Sequence, residues 1–504
     1  MLRPTPSLLK SALLLIAVLG VSLPLQAQGS NHRVDFKDEI ADWNLRDLNN
    51  NGLRELIVWT EGANGERHFI VHHQSQPGVF EFLDKVALPT TAAIRSLGAF
   101  DEKMGSQIAL LTPSGLHLIA LNAQGKLELS GQLFAINSLF HAASSGTPDF
   151  LHWGLDVDGD GHDDLLTPME EGLGVCFCDG KRGFTKPVLL ELPGRRTIQA
   201  ATDGFLSLGR SYPRAVFQNI SGSALPDLVW FDEDGLSWRE QMSPRVFKKG
   251  RPDIYPLSWL SGSETTGVLE QTDIDLEDLS EADGLDLMLS RMKTRKESLT
   301  TMRTNLVLLE NQGKDAKETF LRKPNLALRL EGVVGSGPHF VDVDRDGIRD
   351  MVLTTYASGM KDAFSRFLAS RVPARVFIHR GVKGSDLFES TPFFKTTFQM
   401  SSADFERWGV RRSPVLHEDI DGDGVVDLFL MKGSSREHLL TIRRGVVRDG
   451  VFSILDKPIL EESIKGLENV SFRTIRSGQI GSHVIVQGKR FIKVLVLDVP
   501  DPIK

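Results

Sequence analysis

The chain has 504 residues, with 58 Lys and Arg against 66 Asp and Glu, a formal net charge of −8 and two cysteines. That length accommodates two or three ordinary domains, or one large all-β unit. The acidic balance argues against a general nucleic-acid binder, which needs a basic face, and two cysteines are too few for a disulfide framework.

In chain order, Arg3 and Lys10 come first and flank an apolar run from Ser11 to about Leu23, followed by Pro24 and "LQAQ". A charged start, an apolar stretch and a small residue at a cut after Ala27 make residues 1–27 an export signal, with 28–504 as one mature domain. A membrane span needs roughly 20 apolar residues, and this run is shorter and ends at proline, so no span is expected after cleavage. No cysteine lies near the cut to carry a lipid. The expected destination is the periplasm or the outside of the cell.

The rest of the chain repeats. "DLNNNGLREL" from Asp47, "DVDGDGHDDL" from Asp156, "DVDRDGIRDM" from Asp342 and "DIDGDGVVDL" from Asp419 share one frame. "NISGSALPDL" from Asn219 and "DIDLEDLSEADGLDL" from Asp273 are weaker copies, the second read with an insertion after Asp273, Asp275 and Glu277. Copies near Asp101 and Ser477 have lost the acids but keep the strands that follow. The starts are roughly 55 to 75 residues apart, a propeller-blade period once loops are added. In each unit a short strand enters the loop and a second leaves it, as in "ELIVWT", "DLVWFD" or "DLFLMK". A third follows, such as "RHFIVHHQ" or "RVFIHRG", then a less regular fourth such as "VFSILDKPIL". Cys176 and Cys178 share a face of one such third strand and read as small buried residues.

Four antiparallel strands repeated radially make a β-propeller. Units begin near 41, 95, 150, 214, 268, 338, 414 and 470, and the last has only three strands. The N-terminal "HRVDF" is expected to supply its missing strand, closing the ring and hiding its edges. Eight blades are favoured, with seven as the alternative and an open solenoid third.

The acidic loop has its own logic. Acids at positions 1, 3 and 5 of a tight turn converge on one point, glycine at position 6 permits the turn, and position 7 offers a carbonyl. Such hard oxygen donors suit Ca²⁺, which cancels the repulsion among them. An EF-hand begins the same way but needs a Glu at position 12, where this chain has Val58, Thr167, Leu353 and Leu430. Here the last acid falls at position 9 and a strand follows directly. These loops resemble the FG-GAP or VCBS-type repeats of integrin-like propellers, over nearly all of the mature chain. The resemblance implies structural calcium held by Asp156, Asp158, Asp160 and Asp164; by Asp342, Asp344, Asp346 and Asp350; and by Asp419, Asp421, Asp423 and Asp427. It implies a weaker site at Asp47, Asn49, Asn51 and Glu55. Asn219, Ser221, Ser223 and Asp227 keep the turn without the metal, and Asp286 is a candidate last ligand for the Asp273 copy.

Connections between second and third strands fall on the rim opposite the acidic loops. In the fifth and sixth units they are long and basic, with Arg291, Lys293, Arg295, Lys296 and Arg303, then Lys361, Arg366, Arg371 and Arg375. Met360, Phe364, Phe367 and Leu368 predict a short helix in the sixth, and the fifth is expected to form one too. Together these residues form a possible cationic patch for a protein or an acidic polysaccharide. The expected function is a secreted binding or scaffold module. The alternative is a polysaccharide lyase or hydrolase on the same scaffold, with Tyr212, Tyr255 and Tyr356 as the few candidate bases. No nucleophile elbow, zinc-type histidine motif or phosphate loop supports that alternative.

Overall fold

A computed structural model of the chain describes residues 31–497, apart from 136–148, 257–267, 357–370, 402–413, 474–482 and interruptions of five residues or fewer. It is an all-β, eight-bladed propeller, and no helix occurs among the described residues. Blade 1 pairs Glu39–Arg46, Glu55–Glu61, Arg67–Gln76 and Val79–Ala87 in sequence order. The same order recurs in blade 5, with Val268–Glu277, Asp286–Arg295, Ser298–Leu309 and Leu326–Glu331, and in blade 7, with Val415–Glu418, Asp427–Gly433, Glu437–Arg448 and Val451–Lys465. In blade 3 the strand Asp149–Phe150 pairs in parallel with Ile94–Arg95 of blade 2.

The second strands explain why these stretches read as continuous apolar runs rather than alternating ones. Every residue of Gln107–Thr112 is buried, as are all but the last of Glu55–Glu61. A blade has neighbours on both faces, so both faces of its middle strands need apolar side chains. The core is therefore a ring of layers between blades. Leu56, Val58 and Trp43 of blade 1 meet Ile485, Ile492 and Val494 of blade 8, and Phe429 and Ile442 of blade 7 meet Val484 and Val486 of blade 8. Cys176 and Cys178 are free and buried in the layer between blades 2 and 3. The first described strand, Asn31–Asp35, pairs antiparallel with Phe491–Leu495 and is the outermost strand of blade 8.

Two expectations need correction. The basic insertion of blade 5 is no helix: it lengthens a hairpin, with strand through Arg295 and again from Ser298. Thr294, Thr300, Thr301 and Thr304 fill this stretch, and β-branched residues favour strand over helix. The predicted sixth-blade helix lies outside the described residues. The acidic loop of blade 5 also starts later than its sequence frame suggested. Asp273, Asp275 and Glu277 belong to the inner strand, and the loop runs from Asp278 to Asp286. Counted back from Asp286, this loop needs no insertion.

Candidate metal centres and the opposite rim

Each acidic loop joins the inner strand of a blade to the second strand and so lies on one rim. Two residues in the left-handed region give it its shape. Position 4 has positive φ at Asn50, Gly159, Gly222, Arg345 and Gly422, and position 6 at Gly52, Gly161, Gly347 and Gly424. Glycine adopts this conformation without a Cβ penalty.

Position 1 organises the turn. Asp156 accepts hydrogen bonds from the backbone N–H groups of Gly159 at 2.7 Å and Gly161 at 2.8 Å. Asp419 does the same with Gly422 and Gly424, and Asp342 with Asp346 and Gly347. Position 9 ties the loop to the sheet. One oxygen of Asp164 accepts from Val157 N–H at 2.8 Å, and the other from Cys178 N–H, after the third strand, at 2.9 Å. Asp350 is bound in this way by Val343 and Gly381, and Asp427 by Ile420 and Gly445.

These bonds bring positions 1, 3 and 9 together. Asp156, Asp158 and Asp164 each present an oxygen within 4.8 Å of the others, as do Asp342, Asp344 and Asp350, and Asp419, Asp421 and Asp427. The position-5 acids stand apart from these groups. Asp160, Asp346 and Asp423 accept from the N–H of His162, Ile348 and Val425 within their own turns. Burial pushes the carboxyls of Asp164 and Asp427 up to about 7 and that of Asp350 up to about 6, with repulsion from the position-3 acid adding to it.

The donor set is all oxygen and fits a hard cation such as Ca²⁺. Blade 6 gives the clearest fit: Asp344 Oδ1 is buried with no hydrogen-bond partner, and a cation among the three aspartates would satisfy it. Bound there, the ion would neutralise charge and stiffen the loop. The loop of blade 1 is closed in a different way. Asn49 Nδ2 donates to Glu55 Oε1 at 2.9 Å and Leu48 N–H to Oε2 at 2.7 Å, so an amide sits beside the acid. Asp47 spends its oxygens on Asn51 and Gly52 N–H, and Asn51 accepts from Leu53 N–H. In blade 4 the N–H groups of Ile220 and Ser221 bind Asp227, and in blade 5 those of Leu279 and Ser280 bind Asp286. Both loops keep the position-9 tie, and neither forms an aspartate cluster among the described residues.

Four arginines at this rim were missed by sequence reasoning: Arg245, Arg380 and Arg444, each paired with a position-3 aspartate, and Arg345, which spans two loops. A faint signal existed for two of them. "FIHRG" and "TIRRG" repeat an Arg-Gly, just past the third strand in blade 6 and within it in blade 7, where a Cβ on Gly381 or Gly445 would lie 2.2 or 2.0 Å from a backbone oxygen.

On the opposite side, the length of blade 5 creates a cleft. Its second and third strands have 10 and 12 residues, against five each in blade 4. Leu287 and Leu289 pack against Trp238 and Tyr255 of blade 4. Next on that face, Arg291, Asn305 and Arg329 stand opposite one another across three strands. A cleft of about 310 Å³ is lined by these three together with Leu289, Val307 and Ala327. Arg291 is buried, and burial lowers its guanidinium from the ordinary value. Arg303 faces Glu331 in register, and Arg375 of blade 6 lies 3.7 Å from the same carboxylate. Lys293, Arg295 and Arg371 fall in strands where the side chains are not described, and Lys296, Lys361 and Arg366 lie outside the described residues. Tyr356 and Tyr255 are buried, and Tyr212 packs against the layer between blades 3 and 4.

No family model matches the chain. No curated protein matches it in sequence. Solved structures similar to it include an Agrocybe aegerita lectin that recognises non-reducing terminal N-acetylglucosamine, 12% identical over 64% of this chain and 78% of that one, with a TM-score of 0.39. A mutant NanB sialidase of Streptococcus pneumoniae is 10% identical over 92% of this chain and 70% of that one, with a TM-score of 0.29. Both likenesses are distant and say nothing about the site.

Proposed function

We propose that this chain is an exported propeller, stabilised by calcium on one rim, that binds an acidic polysaccharide through blades 5 and 6 on the other side. The N-terminal charged and apolar pattern supports export, and the three aspartate groups support the cation. The observation that carries the binding role is the cross-strand row Arg291, Asn305 and Arg329 in an open cleft. Adjacent strands lie about 4.8 Å apart, so the row sets the backbones of two arginines about 10 Å apart with an asparagine between them. Guanidinium forks match carboxylate geometry, and the apolar floor of Leu289 and Val307 suits the face of a sugar ring. Against the enzyme alternative, two of its three candidate tyrosines, Tyr356 and Tyr255, are buried at 1% and 8% exposed, and Tyr212 is half-buried.

Affinity electrophoresis tests this reading. A polyuronate gel should retard the protein, a neutral glucan gel should not, and Arg329→Gln should weaken retention about tenfold. Equal retention by the neutral glucan, or no response to Arg329→Gln, would defeat the proposal. Stronger binding to polyglutamate than to polyuronate would replace the polysaccharide with an acidic protein surface.

A further inference from the structure

In each of the three fully acidic loops the position-3 aspartate is already paired with an arginine, and the three arginines come from different places. Arg380, just past the third strand of blade 6, places Nε at 3.0 Å and Nη2 at 2.9 Å from Asp344 Oδ2. Arg444, within the third strand of blade 7, places Nε 2.6 Å from Asp421 Oδ2 and 3.9 Å from Asp423. Arg245 reaches across from a small hairpin of blade 4 to Asp158, and to Asp160 at 3.3 Å. The loop of blade 7 meets a second cation as well. Arg345, from the loop of blade 6, donates to the carbonyls of Asp423 and Gly424 and lies 3.8 Å from the Asp423 carboxylate. Arg245 and Arg345 hold left-handed backbones, φ 66° and 64°, a conformation unfavourable for any residue with a Cβ.

We propose that these arginines are built-in counter-cations that rank the loops for calcium: blade 6 first, blade 3 next, blade 7 last. The ranking rests on the reading that these loops bind calcium. A guanidinium is always charged, so it repels a divalent ion entering the same carboxylates, and more strongly where water screens less. The side chain of Arg444 is 13% exposed, against 37% for Arg380 and 43% for Arg245. Both oxygens of Asp421 are engaged, one by Arg444 and one by Asp423 N–H at 3.1 Å. In blade 3, Asp158 is shared between Arg245 and Asp160 N–H. Only in blade 6 does the position-3 acid keep a buried oxygen without a partner, beside one comparatively exposed arginine. An incoming ion gains that oxygen outright in blade 6. In blade 7 it must share Asp421 with Arg444 and enter beside a second guanidinium, Arg345, on the neighbouring Asp423.

Calorimetric titration of calcium chloride into the metal-depleted full chain tests the ranking. The wild type should show one tighter event and two weaker ones, and Asp344→Asn should abolish only the tighter. Arg444→Gln should tighten the weakest event about tenfold and leave the tightest unchanged, while Arg444→Lys should stay near wild type. A second readout is the melt: Arg444→Gln should melt lower than wild type in chelator and gain more from added calcium. Unchanged or weaker calcium affinity in Arg444→Gln would overturn the counter-cation role, leaving Arg444 as a residue that positions Asp421. A tight event that survives in Asp344→Asn would overturn the order. Calcium binding by none of the proteins would overturn the calcium reading itself, a failure distinct from these two.

Discussion

At the scale of single residues, the most conserved role along this chain's own repeats belongs to position 9. Asp164, Asp227, Asp286, Asp350 and Asp427 all accept from a backbone N–H inside the loop and from another in or just past the third strand of the blade. This explains why the loops of blades 4 and 5 lose the acids at positions 3 and 5 yet keep the last. The position-9 acid is needed by the hairpin whether or not a cation is present. Asp227 is fully buried and binds the N–H groups of Ile220, Ser221 and Gln241 at 3.0, 2.8 and 2.9 Å. Asp227→Ala would strand those donors, so it should cost about 3 kcal/mol in denaturant unfolding, equally with and without calcium. A calcium-dependent cost would assign this loop a metal after all. His72 provides the pH-dependent case. Burial first, then repulsion from His32 and His73, holds it down at about 4, against about 6.5 in an unfolded chain. The folded protein thus rejects a proton that the unfolded chain accepts. The contribution of this group is intact above pH 6.5 and is lost as pH falls toward 4, at about 1.4 kcal/mol per pH unit. His72→Gln removes that term, so its unfolding free energy should fall less steeply than wild type over this window. Parallel curves would contradict the burial account.

At the scale of elements, strands were legible and their ends were not. The runs "ELIVWT" and "DLFLMK" became the second strands Glu55–Glu61 and Asp427–Gly433 because burial on both faces demands an uninterrupted apolar stretch. The blade 5 insertion misled because basic and apolar residues at mixed spacing can mimic a helical face, whereas cross-strand pairing from Lys293 to Arg303 extends the hairpin. The loop frame of blade 5 slipped because Asp273 and Asp275 imitate a loop while sitting in strand pairs with Ser290 and Met288. The strand Asn31–Asp35 makes a further prediction. Val34 is 8% exposed and packs with Ile492 and Val494. Val34→Asp would bury an unpaired charge and free the edge of blade 8, so it should cost about 2–4 kcal/mol in unfolding free energy. It should also increase self-association on size exclusion, because an unpaired strand edge is a template for other chains. Wild-type stability together with a monomeric profile would mean that this strand does not guard the edge.

At the scale of the whole molecule, the ring is a set of layers between successive blades, and the layer between blades 8 and 1 joins the two ends of the chain. Trp43 Nε1 donates to Gln487 Oε1 at 2.9 Å across that layer, which links positions far apart in sequence. The repeat, the all-β class, the strand runs and the spacing of the acids were all readable from the amino-acid order, because each depends on residues within one loop or one hairpin. The arginines that face those acids were not. Arg245 meets Asp158 from a neighbouring blade, and Arg345 meets Asp423 from a neighbouring loop, so only the stacking of blades puts these charges together. The row Arg291, Asn305 and Arg329 was likewise decided by strand register and by the shorter strands of blade 4 beside it. Local pattern determined what each blade is. Packing between blades, which no single repeat encodes, decided which charges meet and which sheet face stays open.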